Sequence, residues 1–199
     1  MPDFTLRTAE EADAPAMLAL YAPYVTDTTV SSEYEPPSLS EFVGRMRTYG
    51  EKLPWLVCTY GDEVVGYGYA SPHRRRAAYQ WSCETSIYVA RDFHRRGIAG
   101  ALYNALFELL AMQGYYNIFV GITSPNETSM KFHKAMGFVI SGAYQDSMYK
   151  FGKWRDVLWM AKSLRPHEGE PQPTVPFPAL RESPVVSRVL RQAGQHIRG

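Results

Sequence analysis

The sequence has no long apolar run: nowhere in its 199 residues does a hydrophobic stretch approach the roughly 20 needed to span a bilayer. The opening segment MPDFTLRTAE also lacks the basic and apolar regions of a secretion signal, so a cytoplasmic location without membrane attachment is expected. Cysteine is scarce. Cys58 and Cys83 show neither C-x-x-C spacing nor a surrounding histidine cluster, which argues against a zinc site or a disulfide framework. They are read as reduced core residues, and no metal is expected. A surplus of one charge is missing as well. With 21 basic and 20 acidic residues the net charge is +1, whereas a general nucleic-acid binder carries a clear basic excess. Both common nucleotide motifs are absent: there is no GxxxxGK followed by Ser or Thr, and no GxGxxG with an acidic residue about 20 positions on. Internal repeats are lacking too.

What is present is a chain that is 45% hydrophobic and 14% aromatic, enough for one globular domain with an appendage. FTLR alternates like a short strand, and Thr8 with Glu11 suggests a capping box opening a helix through Met17, Leu20, Tyr21 and Tyr24. Ser38 and Glu41 repeat that signal ahead of Phe42, Met46 and Tyr49, with Gly50 as a stop. WLVCTY, a GD turn and EVVGYGYA predict a hairpin. AYQWSCETSIYVA alternates further, with Trp81, Cys83, Thr85, Ile87 and Val89 on one face and Ser82, Glu84, Ser86 and Tyr88 on the other. Ile98, Leu102, Leu106 and Leu109 mark a helix ending near Gly114, followed by the strand NIFVGI, a short helix from about Thr128 to Gly137, and strands near 139–149 and 154–162. From residue 165 the composition changes. Six of the fourteen prolines fall between Pro166 and Pro184, so 165–199 is read as a Pro-rich extension, able to form a brief helix after Ser183, beyond a domain of residues 1–164.

One stretch carries chemistry. In HRRGIAGALY a strand runs into a turn holding Gly97, Ala99 and Gly100 and then into a strong helix, which gathers backbone N–H groups at the positive end of a helix dipole. Arg95 and Arg96 add charge there, and Arg74, Arg75, Arg76 and Arg91 lie within about two dozen residues of them. Two readings fit the pattern R-x-G-x-A-G: a cradle for a phosphate, or small residues that let a helix pack closely.

The order of elements, this turn and SPNETSMKFHKAMGF resemble the GNAT superfamily of acetyl-CoA-dependent N-acetyltransferases. More narrowly, PWLV, YGYASPHRRRAAYQWSCETSIYV, HRRGIAGALY and FGKWRDVLWM resemble its phosphinothricin N-acetyltransferase and methionine sulfoximine acetyltransferase group, over about residues 4–164. The resemblance implies a GNAT fold: a mixed α/β domain with a central, mostly antiparallel, twisted sheet flanked by helices and splayed at the acetyl-CoA strand. It implies acetyl-CoA as cosubstrate, with Ile87, Tyr88 and Val89 along the pantetheine arm, Arg95, Arg96, Gly97, Ile98, Ala99 and Gly100 around the diphosphate, and Asn126 touching the cofactor by its side chain. His94 stands where Gln or Arg is common, which bears on a side-chain contact and leaves the backbone cradle intact.

Acetyl transfer to an α-amine needs that amine neutral, and with a pKa near ~8 most of it is protonated at neutral pH. Glu84, on the polar face three residues before the cofactor strand, matches the acidic residue to which the family assigns the role of base. His133 matches a helix position associated with proton transfer, and solvation alone also explains a histidine there. Arg76 and Tyr79, with Arg74 a weaker candidate, match residues near the acidic group of the substrate. The expected acceptor is a small amino acid or analogue, and a homodimer is implied by the resemblance alone. Ser32 replaces an aromatic residue usual in the group, which widens the choice of amine. Acetylation of an aromatic amino acid or a protein N-terminus stays open, as does a coenzyme A-binding module without turnover.

Overall fold

The computed structural model describes residues 3–198. Among them seven strands, β1 (Phe4–Thr8), β2 (Trp55–Tyr60), β3 (Glu63–Pro72), β4 (Ser82–Val89), β5 (Asn117–Thr123), β6 (Val139–Lys150) and β7 (Lys153–Ser163), form one sheet in the order β1-β2-β3-β4-β5-β7-β6. The helices are α1 (Ala14–Thr26), α2 (Leu39–Gly50), α3 (Ile98–Gln113), α4 (Glu127–Ala135) and α5 (Pro184–Gly194). All neighbouring strands are antiparallel except β4 and β5. This is the expected mixed α/β architecture with a mostly antiparallel sheet.

The pleat divides the core in two. On β2, Leu56 and Cys58 join the apolar cluster of α3 and α5, while Trp55 and Val57 join the cluster of α1 and α2 on the opposite face. Leu102, Leu106, Leu109 and Leu110 of α3 are fully buried, each contributing roughly 1.5–3 kcal/mol, so α3 is fixed firmly against the sheet. Both cysteines are buried free thiols, and burial pushes the Cys58 thiol up to about 12.

Local signals hold in most places. Ser38 accepts the Glu41 N–H while the Glu41 carboxylate accepts the Ser38 N–H, and Gly114 closes α3 with φ of 94°. The expected Thr8–Glu11 box does not form. Thr8 ends β1, paired with Leu56, and the cap shifts to Glu10 and Asp13, because Arg7 grips the Asp13 carboxylate with two bonds of 2.7 Å. The expected strand from Ala78 also starts later. Tyr79 and Gln80 donate to the Arg76 and Ala77 carbonyls in a short 3-10 turn, so strand pairing begins only at Ser82.

The Pro-rich segment is followed by α5, capped by Ser183, which accepts the Val185 N–H. Its buried Val186, Val189, Leu190 and Ala193 join the core of α3 and β1. The chain then reaches the turn ahead of α3, where the Arg198 N–H donates to the Arg96 carbonyl at 2.8 Å.

Candidate active site

β4 and β5 pair only over Ser82–Glu84 against Asn117–Phe119, and beyond that they part, β4 staying with β3 and β5 with β7. The parting opens a cleft of ≈ 690 Å³ between Thr85–Val89 and Val120–Ile122, bounded by the start of α3 and by Asn126, Ser129, Phe132 and His133. Ala90 donates its N–H to Val65 at 2.9 Å. Bonding direction alternates along an antiparallel ladder, so the backbone groups of Thr85, Ile87 and Val89 turn into the gap while those of Tyr88 face Tyr67 on β3. The Val89 carbonyl is already engaged: the Tyr24 hydroxyl donates to it, and His94 Nε2 lies 3.0 Å away. The gap-facing N–H groups of Ile87 and Val89 are therefore the donors on this edge.

At the start of α3, Arg95 (φ 64°) and Gly97 (φ 91°) are both left-handed, a backbone that turns N–H groups into an anion-binding concavity at the helix N-terminus. A Cβ on Gly97 would stand 3.0 Å from the His196 carbonyl, so the C-terminal segment also requires glycine there. Gly100 is different. It lines the cleft, and a Cβ built on it meets nothing within 4 Å. Glycine inside a helix costs about 0.5–1 kcal/mol relative to Ala, and no protein contact explains it here. Close packing therefore does not require a glycine at this position, and the space beside it at the helix N-terminus is open. Ile98 and Ala99 line the same cleft, as does Arg95. Arg96, expected at the diphosphate, is outside that lining, its guanidinium 5.3 Å above the Phe93 ring and its carbonyl bonded to Arg198.

Asn126, the N-cap of α4, and His133 within α4 face the cleft with their hydrogen bonds partly committed. Asn126 caps the helix by accepting the Ser129 N–H at 3.1 Å, which leaves its NH2 as the group to offer a ligand. His133 Nδ1 lies 2.7 Å from the Ser129 carbonyl, which can only accept, so Nδ1 carries the hydrogen; Nε2 then accepts from the Tyr103 hydroxyl at 2.8 Å. Burial lowers the proton affinity of His133 and favours this neutral form.

Glu84 sits at the apex, the last β4 residue paired with β5, and is outside the lining of the cleft, which begins at Thr85. Its Oε1 is 2.9 Å from His73 Nδ1. Burial raises the Glu84 carboxyl, and the His73 hydrogen bond together with the His73 and Arg74 charges partly offsets the rise.

A family model described as an acetyltransferase (GNAT) domain matches residues 6–159. The chain belongs to the GNAT acetyltransferase family. A phosphinothricin N-acetyltransferase of Streptomyces coelicolor is 34% identical over 163 residues, 80% of this chain and 95% of the relative. An L-methionine sulfoximine/L-methionine sulfone acetyltransferase of Pseudomonas paraeruginosa is 32% identical over 172 residues, 84% of this chain and 98% of the relative. The crystal structure of a GNAT superfamily phosphinothricin acetyltransferase from Sinorhizobium meliloti in complex with AcCoA superposes with a TM-score of 0.81 at 30% identity, covering 85% of this chain and 93% of that one.

In this GNAT acetyltransferase the residues expected around the acceptor are only partly gathered. Arg74 donates to the Tyr144 hydroxyl at 2.9 Å, and the Tyr79 ring meets His73 edge-on at 5.9 Å, so both lie beside the apex. Arg76 is exposed, at the start of the 3-10 turn Ala77–Tyr79. Residues 27–38, which include the exposed Ser32, are held at several points: Ser31 bonds the Tyr21 hydroxyl at 2.6 Å, and Lys150 Nζ donates to the Val25 and Ser31 carbonyls at 2.8 Å each. Sequence reasoning missed His73, Tyr24 and Lys150. The register Ser71↔Glu84 and Pro72↔Cys83 brings His73 to Glu84, and only a correctly aligned hairpin would have shown it.

Proposed function

We propose that this acetyltransferase moves the acetyl group of acetyl-CoA onto the α-amino group of a small amino acid or analogue, in the class of phosphinothricin, methionine sulfoximine and methionine sulfone, by direct attack of the amine. The observation that carries the donor half is the parted β4 edge ending at a helix N-terminus, where Gly100 leaves a space that no protein group fills. Along that edge Ile87 and Val89 would pair with the pantetheine amides, the N–H groups of residues 95–100 with the Arg95 charge would hold the diphosphate, and Asn126 would offer its NH2. Acetyl-CoA held there supplies an activated thioester. The Sinorhizobium structure with AcCoA supports that donor, and the names of the Streptomyces and Pseudomonas relatives support the acceptor class.

The remaining chemistry belongs to side chains and backbone. Glu84 takes the proton of the α-ammonium, directly or through one water, a role worth ~10²–10⁴-fold in rate. Its raised proton affinity brings it nearer the pH at which it works. The Ile87 N–H, the nearer of the two to Glu84, meets the charge that grows on the acetyl oxygen, which leaves the Ile87 carbonyl and the Val89 N–H to the pantetheine; Tyr88, whose backbone bonds β3, contributes its ring to the wall. A thiol with pKa near ~8.5 leaves with little help. His133, with its Nδ1 hydrogen committed to Ser129, therefore holds Tyr103 and shapes the cleft. Arg76, Arg74 and Tyr79 meet the acidic group of the acceptor. Residues 1–164 carry this activity as one domain, and 165–199 extend it.

Two copies pair through β6 in this reading. That strand is the sheet edge and exposes Val139 (67%) and Ile140 (51%) at its start and Tyr149 at its end, where Trp154 (63%) of β7 packs against Tyr149.

Free-thiol release from acetyl-CoA tests the proposal, with phosphinothricin, methionine sulfoximine, methionine sulfone, an aromatic amino acid and a short peptide as acceptors. Release with the sulfoximine class is expected. Release only with the aromatic amino acid or the peptide would move the acceptor class, and coenzyme A binding without release above hydrolysis would overturn the enzymatic reading.

A further inference from the structure

We propose that His73 is a positioning residue for Glu84: it holds Oε1 and thereby leaves Oε2 as the single oxygen that accepts the proton of the amine. The inference rests on Glu84 being the base. His73 follows β3 directly, and its imidazole is clamped on several sides. The ring stacks on Phe119 of β5 at 4.2 Å and 15° and is met edge-on by Tyr79 and by Trp159 of β7, each at 5.9 Å; its side chain is 10% exposed. A ring packed in this way has little rotamer freedom, so the 2.9 Å approach of Nδ1 to Glu84 Oε1 is preorganised. Packing alone would be served by any aromatic ring. A nitrogen aimed at a half-buried carboxylate is what phenylalanine lacks.

An ionised carboxylate can only accept, so the hydrogen lies on Nδ1. In the transfer step an N–H bond of the substrate ammonium breaks with its electron pair left on nitrogen, and an O–H bond forms on Oε2. The Nδ1–H···Oε1 bond persists, and the neutral amine is free to attack. The titratable and charged groups around Glu84 are His73 and Arg74 from the loop after β3, with Tyr144 of β6 bonded to Arg74 and Tyr79 beside His73. Cys83 precedes Glu84 and points to the other face of β4 in the α3 core, and Phe119 on β5 is apolar. His73 and Arg74 both favour the carboxylate against the effect of burial. Loss of His73 thus raises the proton affinity of Glu84, and the acid limb of the rate profile moves to higher pH.

The experiment compares full-length H73F, H73N, H73Q and E84Q by kcat and KM for amine and acetyl-CoA along the pH profile. H73F keeps a ring against Phe119 and is expected to lose about tenfold or more in kcat. Its acid limb should move to higher pH with the KM for acetyl-CoA unchanged. Asn carries its N–H near the place of Nδ1 and Gln one bond further, so H73N should exceed H73Q, and that ranking decides the matter if the Phe ring is not tolerated. Wild-type kcat and acid limb in H73F, or equal rates in H73N and H73Q, would overturn the role of His73. If E84Q is inactive while H73F is normal, the base survives and the positioning role falls; an active E84Q removes both.

Discussion

At Gly100, stability and the proposed cofactor binding call for different residues. Its side-chain position is open and its backbone is helical, so Gly100→Ala should leave the melting temperature unchanged or raise it, by up to about 1 kcal/mol of added stability. The same methyl enters the space assigned to the diphosphate, so calorimetry should show weaker acetyl-CoA binding; tighter binding would refute the cradle. His133 supports an equally specific expectation. With Nδ1 bonded to the Ser129 carbonyl, His133→Gln should lower kcat only a few-fold, far less than the ~10²–10⁴-fold expected of Glu84→Gln in the thiol-release assay. Single residues were legible where their role is local. Ser38, Gly97 and Gly114 are demanded by chain geometry, and their neighbours in sequence show it. Thr8 was misleading because the competitor for the cap, Asp13, owes its place to Arg7, a partner that local pattern does not reveal.

Among the elements, the C-terminal segment has the clearest consequence. α5 is held by buried Val189 and Leu190, and beyond it the Arg198 N–H and the His196 carbonyl press on the turn that opens α3. A chain ended after Gly194 keeps the apolar contacts of α5 and loses that brace. Steady-state kinetics should then show a several-fold higher KM for acetyl-CoA with the amine KM little changed, and unaltered donor kinetics would refute the brace. Lys150 at the end of β6 braces the segment 27–38, which the proposed function places on the acceptor side. It is 2% exposed and satisfies the Val25 and Ser31 carbonyls, each of which would cost roughly 1–3 kcal/mol if left buried without a donor. Lys150→Met should therefore lower the melting temperature and raise the amine KM through the loosened segment 27–38. Helix and hairpin positions were largely readable from apolar spacing and turn residues. The late start of β4 was not, since AYQWS alternates in sequence while its first residues close a 3-10 turn.

For the molecule as a whole, the edge strand β6 is where the proposed pairing of two copies can be tested. Val139 and Ile140 at one end, and Tyr149 with Trp154 of β7 against it at the other, mark a strand that has no neighbour on one side among the described residues. Sedimentation should give a dimer for the native chain and a shift toward monomer for an Ile140→Lys, Trp154→Glu double variant, with acetyl-CoA binding retained. A monomeric native chain would remove the pairing.

The sequence by itself determined which segments become helix or strand, where α2, α3 and α5 begin, and that a glycine-bearing turn meets a strong helix N-terminus. These follow from periodicity, capping and backbone freedom, all set by residues a few positions apart. Tertiary structure decided the rest. The parting of β4 from β5 creates the cleft, Gly100 proves free of protein contacts while Gly97 does not, Arg96 turns away, and His73 reaches Glu84 across a hairpin. Each depends on groups distant in the chain meeting in one place, and strand register and core packing set those meetings.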